Sequence, residues 1–107
     1  MNIHHAAGLF HARPDQPELE RAARLLGAVG PALVHAFEPH GHSVAVLGHE
    51  VRVMLHTWPE HALVTVDVYA DRVVDFEPLR RELGWRILDE GDHGMQLGSD
   101  FSEESIP

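Results

Sequence analysis

Apolar residues after position 16 recur at helical spacing: Leu19, Ala22, Ala23, Leu26 and Val29 fall on one face. Asp15, with Glu18 three residues on and Pro17 in the first turn, forms a capping-box-like start. Gly30-Pro31 supplies the stop, so the pattern predicts a helix from Asp15 to Val29. From Ala32 to Ala70 the period changes to two. The segments Ala32–Phe37, Ser43–Gly48, Val51–Thr57 and Leu63–Ala70 are rich in Val and Leu and are separated by turn residues, which predicts strands. In the third, Val51, Val53 and Leu55 share one face while Arg52, Met54 and His56 share the other. In the fourth, Val64, Val66 and Val68 alternate with Thr65, Asp67 and Tyr69. Residues 3–11 form a weaker strand pattern. Asp75 caps a short helix through Leu83, Gly84 ends it, and Trp85–Leu88 reads as a last strand.

The order β-α-β-β-β-β-α-β, with short hairpin-type connections in the middle, predicts an α+β two-layer sandwich. Its antiparallel sheet carries two helices on one face. The expected domain spans residues 1–90. From Leu88 onward the chain has six acids and no arginine, and 91–107 is expected to be a loose acidic tail.

Composition narrows the function classes. A chain of 107 residues makes one domain, burying roughly 60–70% of its unfolded surface, so dimerisation would add useful apolar burial. No cysteine excludes disulfides, thiolate metal sites and cysteine nucleophiles. All eight basic residues are arginine, and the absence of lysine excludes a lysine Schiff base and a P-loop. The net charge of −9, without basic runs, argues against nucleic acid and anionic membranes. No apolar stretch approaches the ~20 residues of a membrane span. The N-terminus lacks a secretory pattern, so a cytoplasmic location is expected. Ten histidines make the surface charge steeply pH-dependent near neutrality.

The chemistry-bearing residues crowd into Phe37-Glu38-Pro39-His40-Gly41-His42-Ser43, Gly48-His49-Glu50 and His56-Thr57-Trp58-Pro59-Glu60. Imidazoles and carboxylates suit zinc, iron or manganese, and an H-x-H pair in extended chain puts both rings on one face. His40, His42 and His49, with His56, are therefore metal-ligand candidates; the competing reading is surface or structural histidine.

The run Leu55-His56-Thr57-Trp58-Pro59-Glu60, followed by Val66-Asp67-Val68-Tyr69, resembles the signature of the bacterial and archaeal S-adenosylmethionine decarboxylases. That family has a strand E-S-H-x-S-x-H-T-W-P-E and a second strand A-x-V-D-x-F-T-C-G. Phe37-x-Pro39-x-Gly41-x-Ser43 is similar to its F-x-P-x-G-V-S/T loop. The resemblance spans about residues 3 to 90, is densest in 35–70, and implies the family's fold, a homodimer and a link to polyamine (spermidine) biosynthesis. It also implies a pyruvoyl cofactor, made by self-cleavage between a glutamate and a serine, which serves as electron sink.

Here the resemblance meets departures. Glu50 keeps the glutamate, but Val51 stands at the serine position, Arg52 at the following histidine and Met54 at the second serine. His56 keeps the processing histidine, and the proton-donor cysteine position is taken as Ala70. Valine has no hydroxyl to attack its own peptide bond, so no pyruvoyl group is expected, the chain stays uncut, and family-type decarboxylation is lost.

The remaining candidates each carry two readings. His56 and Glu50 are catalytic candidates, or His56 is one histidine on the less apolar strand face. Among binding candidates, Phe37 stacks on a base or sits in the core. Trp58 and Glu60 bind a ligand or shape a strand-exit turn. Asp67 binds an amine or is a satisfied structural carboxylate. Arg52 anchors a carboxylate or phosphate, or pairs with Glu50 or Glu60. The functional expectation is a small-molecule-binding or regulatory homologue, with an active decarboxylase relative as a partner to regulate. The alternatives are a histidine-rich metal-binding protein on the same fold and an enzyme with new acid/base chemistry through His56 with Glu50 or Glu60.

Overall fold

The computed structural model describes residues 2–96. Its elements are β1 (Asn2–His11), α1 (Gln16–Leu25), β2 (Ala32–Ala36), β3 (His42–Leu47), β4 (Val51–Trp58), β5 (Leu63–Ala70), α2 (Glu77–Leu83) and β6 (Arg86–Gln96). A single 3-10 turn, Pro59–His61, joins β4 to β5. The strands form one six-stranded sheet in the order β2-β3-β4-β5-β1-β6, antiparallel at every junction. The expected two-layer α+β sandwich is the observed architecture.

Alternation sets the two faces. Val44 and Val46 of β3, Val51, Val53 and Leu55 of β4, and Val64, Val66 and Val68 of β5 are buried on the helix side with Phe10 of β1. Leu19, Ala22 and Ala23 of α1 and Leu79 of α2 close that core, together with Trp85. The other face carries no helix and leaves Leu47, Met54, Trp58 and Tyr69 about half exposed.

Asp15 caps α1 as expected, its Oδ1 accepting from the Glu18 N–H at 2.9 Å. Glu18 does not complete a capping box. Its Oε2 instead accepts the indole N–H of buried Trp85 at 2.9 Å, satisfying a donor that burial would otherwise leave unpaired.

Two expectations are corrected. The helix ends at Leu25, not Val29. Gly27 at φ 98° lets its N–H reach the Arg24 carbonyl and the Ala28 N–H the Ala23 carbonyl, a Schellman closure, and Val29 is left 80% exposed. The expected tail from Leu88 is, as far as Gln96, the continuation of β6. It pairs with β1 from His11↔Arg86 to Asn2↔Gln96, with an irregularity between Leu9 and Phe10. Backbone pairing to β1 holds this edge strand, so it needs no apolar alternation, and its exposed Asp89, Glu90 and Asp92 disguise it as a solvated run. The remainder of the expected tail, 97–107, lies outside the described residues. Among the described residues no helix is long and apolar enough to cross a membrane.

Candidate functional site

The candidate residues gather where β3 begins and β4 ends. The Phe37 N–H donates to the Gly41 carbonyl at 2.8 Å and closes the turn between β2 and β3. Gly41, at φ 110°, is packed against Pro59 and the Thr57 carbonyl, where a left-handed backbone favours glycine. Thr57 Oγ1 accepts the His42 N–H at 2.8 Å and donates to the His42 carbonyl at 3.3 Å. These contacts tie the turn to the end of β4. Arg13 adds an Nη1 bond to the Pro59 carbonyl at 3.3 Å.

A hollow of about 260 Å³ opens there on the uncovered face, lined by Phe37, His40, Ser43, His56, Trp58 and Glu60 among others. Ser43 Oγ lies 2.6 Å from His56 Nδ1 across the β3–β4 pair. His40 Nε2 is 3.9 Å from Glu60 Oε2. The Trp58 indole N–H reaches Thr65 Oγ1 at 3.4 Å, and the His35 ring meets the Phe37 ring edge-on at 4.4 Å. An aromatic pair, an imidazole, a hydroxyl and a carboxylate thus face one small space, which suits a planar or cationic small molecule.

Other candidates fall elsewhere. Glu50 sits beyond the opposite end of β4, six residues from His56, or roughly 20 Å of extended chain. Within one chain the two therefore cannot share an acid–base step. The exposed Glu50 carboxylate pairs with Arg72 at 3.1 Å. Arg52 is exposed and makes none of the ion pairs among the described residues, so its expected pairing with Glu50 or Glu60 is not formed. It stands between Leu47 and Tyr69 on the neighbouring strands. Asp67 accepts from His5 Nε2 at 3.0 Å, and the His5 ring stacks on Tyr69 at 4.4 Å, as the structural reading of that carboxylate requires.

The metal set is corrected. His42 begins β3 and His49 follows its other end, roughly 20 Å away. His40 lies in the turn before Gly41, not in extended chain, so the H-x-H geometry does not arise. Among the described residues no group of three or more potential ligands converges.

Sequence reasoning missed several partners. It placed Ser43 on the family loop without giving it a role, and it gave none to Thr57, Thr65, His5 or Arg72. For Ser43 and Thr65 a signal existed, since both sit on the less apolar face with His56 once the strands are registered. For Arg72 there was none, because a charged residue after a strand has no periodicity to read.

Residues 17–83, more than half of the chain, match the family model described as S-adenosylmethionine decarboxylase. The S-adenosylmethionine decarboxylase proenzyme of Aquifex aeolicus is 54% identical over 78 residues, covering 66% of this chain and 56% of the relative. That of Sulfurihydrogenibium sp. is 46% identical over 35 residues, 33% of this chain and 26% of the relative. That of Clostridium botulinum is 32% identical over 75 residues, 62% and 65% respectively. The chain thus spans about half or less of the length of the first two of these relatives. The crystal structure of the adenosylmethionine decarboxylase from Aquifex aeolicus matches with a TM-score of 0.66 at 26% identity, covering 96% of this chain and 97% of that one.

Laid along β5 from Val66-Asp67, the family strand V-D-x-F-T-C puts its threonine on Ala70 and its cysteine on Asp71. The proton-donor position therefore moves from Ala70 to Asp71. Ala70 is buried opposite Val51, whereas Asp71 is half exposed and held by Arg72 at 3.1 Å. With fold, sheet order and motif positions in agreement, the chain belongs to the S-adenosylmethionine decarboxylase family.

Proposed function

We propose that this protein is a non-processing member of its family, a small-molecule-binding or regulatory homologue without the decarboxylase activity for which its relatives are named. One observation carries the reading. The residue after Glu50 is Val51, 3% exposed, its methyls turned into the helix-side core, where a Cβ added to Gly27 would meet Val51 Cγ2 at 3.7 Å. A pyruvoyl group needs a serine hydroxyl at that place, and this residue has none. The residues here do not fit that cofactor, and no step is routed through it.

The hollow at Phe37, His56, Trp58 and Glu60 is where we place a ligand, with a nucleoside sulfonium such as S-adenosylmethionine or a polyamine as the class. Aromatic faces and a carboxylate suit a cation that carries a base. A homodimer in the cytoplasm completes the reading, seated on the uncovered sheet face, where Leu33, Phe37, Leu47, Met54, Trp58 and Tyr69 are exposed. An active decarboxylase relative is the partner such a homologue would regulate.

Thermal-shift titration with S-adenosylmethionine, its decarboxylated analogue and spermidine tests the binding half. At 100-fold over Kd a ligand contributes about 2.7 kcal/mol, a shift of several degrees for a domain of this size. The shift should be lost in Trp58→Ala. No stabilisation by any of the three contradicts the ligand assignment.

A further inference from the structure

Ser43 and His56 occupy a position that the ligand-binding reading leaves unused. Both are half-buried, and Ser43 Oγ lies 2.6 Å from His56 Nδ1, a distance at which the hydroxyl proton is shared with the imidazole. Two hollows meet at this pair. On one side lies the 260 Å³ space with Phe37, His40, Trp58 and Glu60. On the other lies a space of about 220 Å³ lined by Leu33, Val34, Ala45 and Met54, and Ser43 and His56 line both. The result is a two-lobed groove, apolar at one end and aromatic-polar at the other, with a hydroxyl–imidazole pair in its waist.

We propose that Ser43 is a nucleophile with His56 as its base, acting on carboxylic esters whose acyl chain lies in the apolar lobe. Ser43 Oγ bonds to the ester carbonyl carbon while its proton passes to His56 Nδ1. The carbonyl–alkoxy bond then breaks, and the alcohol departs with the proton from His56. Water, deprotonated by the same imidazole, attacks the acyl-serine, releases the carboxylic acid and restores the hydroxyl. No oxidant, reductant or cofactor is needed. Among the described hydrogen bonds no carboxylate orients the other nitrogen of His56, so hydrolysis of the acyl-serine is the slow step and the acylated form accumulates. This goes beyond the ligand-binding reading and does not depend on the loss of self-processing.

The test uses the full chain with a fluorophosphonate probe and with p-nitrophenyl butyrate. The expected result is a stoichiometric phosphonyl adduct located by peptide mapping on Ser43, and a nitrophenol burst equal to the chain concentration. The other serines, Ser99, Ser102 and Ser105, serve as internal controls for nonspecific labelling. Ser43→Ala should abolish both signals, and His56→Gln should slow labelling at least tenfold while the thermal melt stays cooperative. Absence of an adduct on the wild-type chain, or an adduct only on the C-terminal serines, overturns the proposal without needing a variant. A chain found already cut before treatment would refute the non-processing reading alone, since the Ser43 label can still be read on a fragment.

Discussion

Val51 joins the fold and the function at a single side chain. It is a core residue of β4, and removing its methyls by Val51→Ala should cost roughly 1–3 kcal/mol in urea denaturation. Val51→Ser should cost more, because it also buries a hydroxyl beside alkyl groups. Equal stability of the two variants would mean that the position is wetter than its 3% exposure implies. The identity of this residue was legible in the sequence, and so was its side of the strand, because Val51, Val53 and Leu55 alternate cleanly. The company of Glu50 was not legible. Its ion pair with Arg72 is a contact across 22 positions between two exposed side chains, and neither pattern nor propensity encodes it.

At the level of elements, α1 is joined to the last strand region by one bond, Trp85 Nε1 to Glu18 Oε2. Glu18→Ala should leave the indole N–H buried and unpaired and cost about 1–3 kcal/mol, whereas Asp15→Ala should cost about 1 kcal/mol through the lost cap. Denaturant midpoints in the opposite order would contradict this assignment. In α2 the hydrogen bond from Arg80 holds the Glu77 carboxyl below its usual 4.5. The lowered value means that support for the helix is present above the unfolded pKa and is lost as pH falls through the folded one. Glu77→Gln should therefore act at neutral pH and not in acid, weakly and with salt sensitivity, because both groups are exposed. The helices and the four middle strands could be read from period and caps. The strand β6 could not, because an edge strand is held by main-chain pairing to β1 and its side chains follow solvent, not a core. Amide exchange checks this, with slow exchange expected for those of 89–96 that donate to β1 and fast exchange throughout contradicting the pairing.

For the whole molecule, the sheet has one face covered by two helices and one face bare, with Leu47, Met54 and Tyr69 exposed on it. Light scattering should give about twice the 11.9 kDa chain mass, and Met54→Arg should shift it towards that of a single chain. A dimer indifferent to charge on this face would place the partner elsewhere. The candidate site was legible only in part, and for a reason of scale. The sequence names His56, Trp58, Glu60 and Phe37, but their convergence, and the separation of Glu50 and His49 from them, follows from strand register and strand length. Composition gains meaning at this scale too, since the missing cysteine coincides with Asp71 at the family's proton-donor position.

The central claim is that the bond between Glu50 and Val51 stays intact. Intact-mass spectrometry of the purified, untreated protein addresses it in one measurement. The account predicts a single species at the full mass of about 11.9 kDa with its own N-terminal residue. Two fragments divided after Glu50, the second with a blocked, keto-acyl terminus, would contradict it.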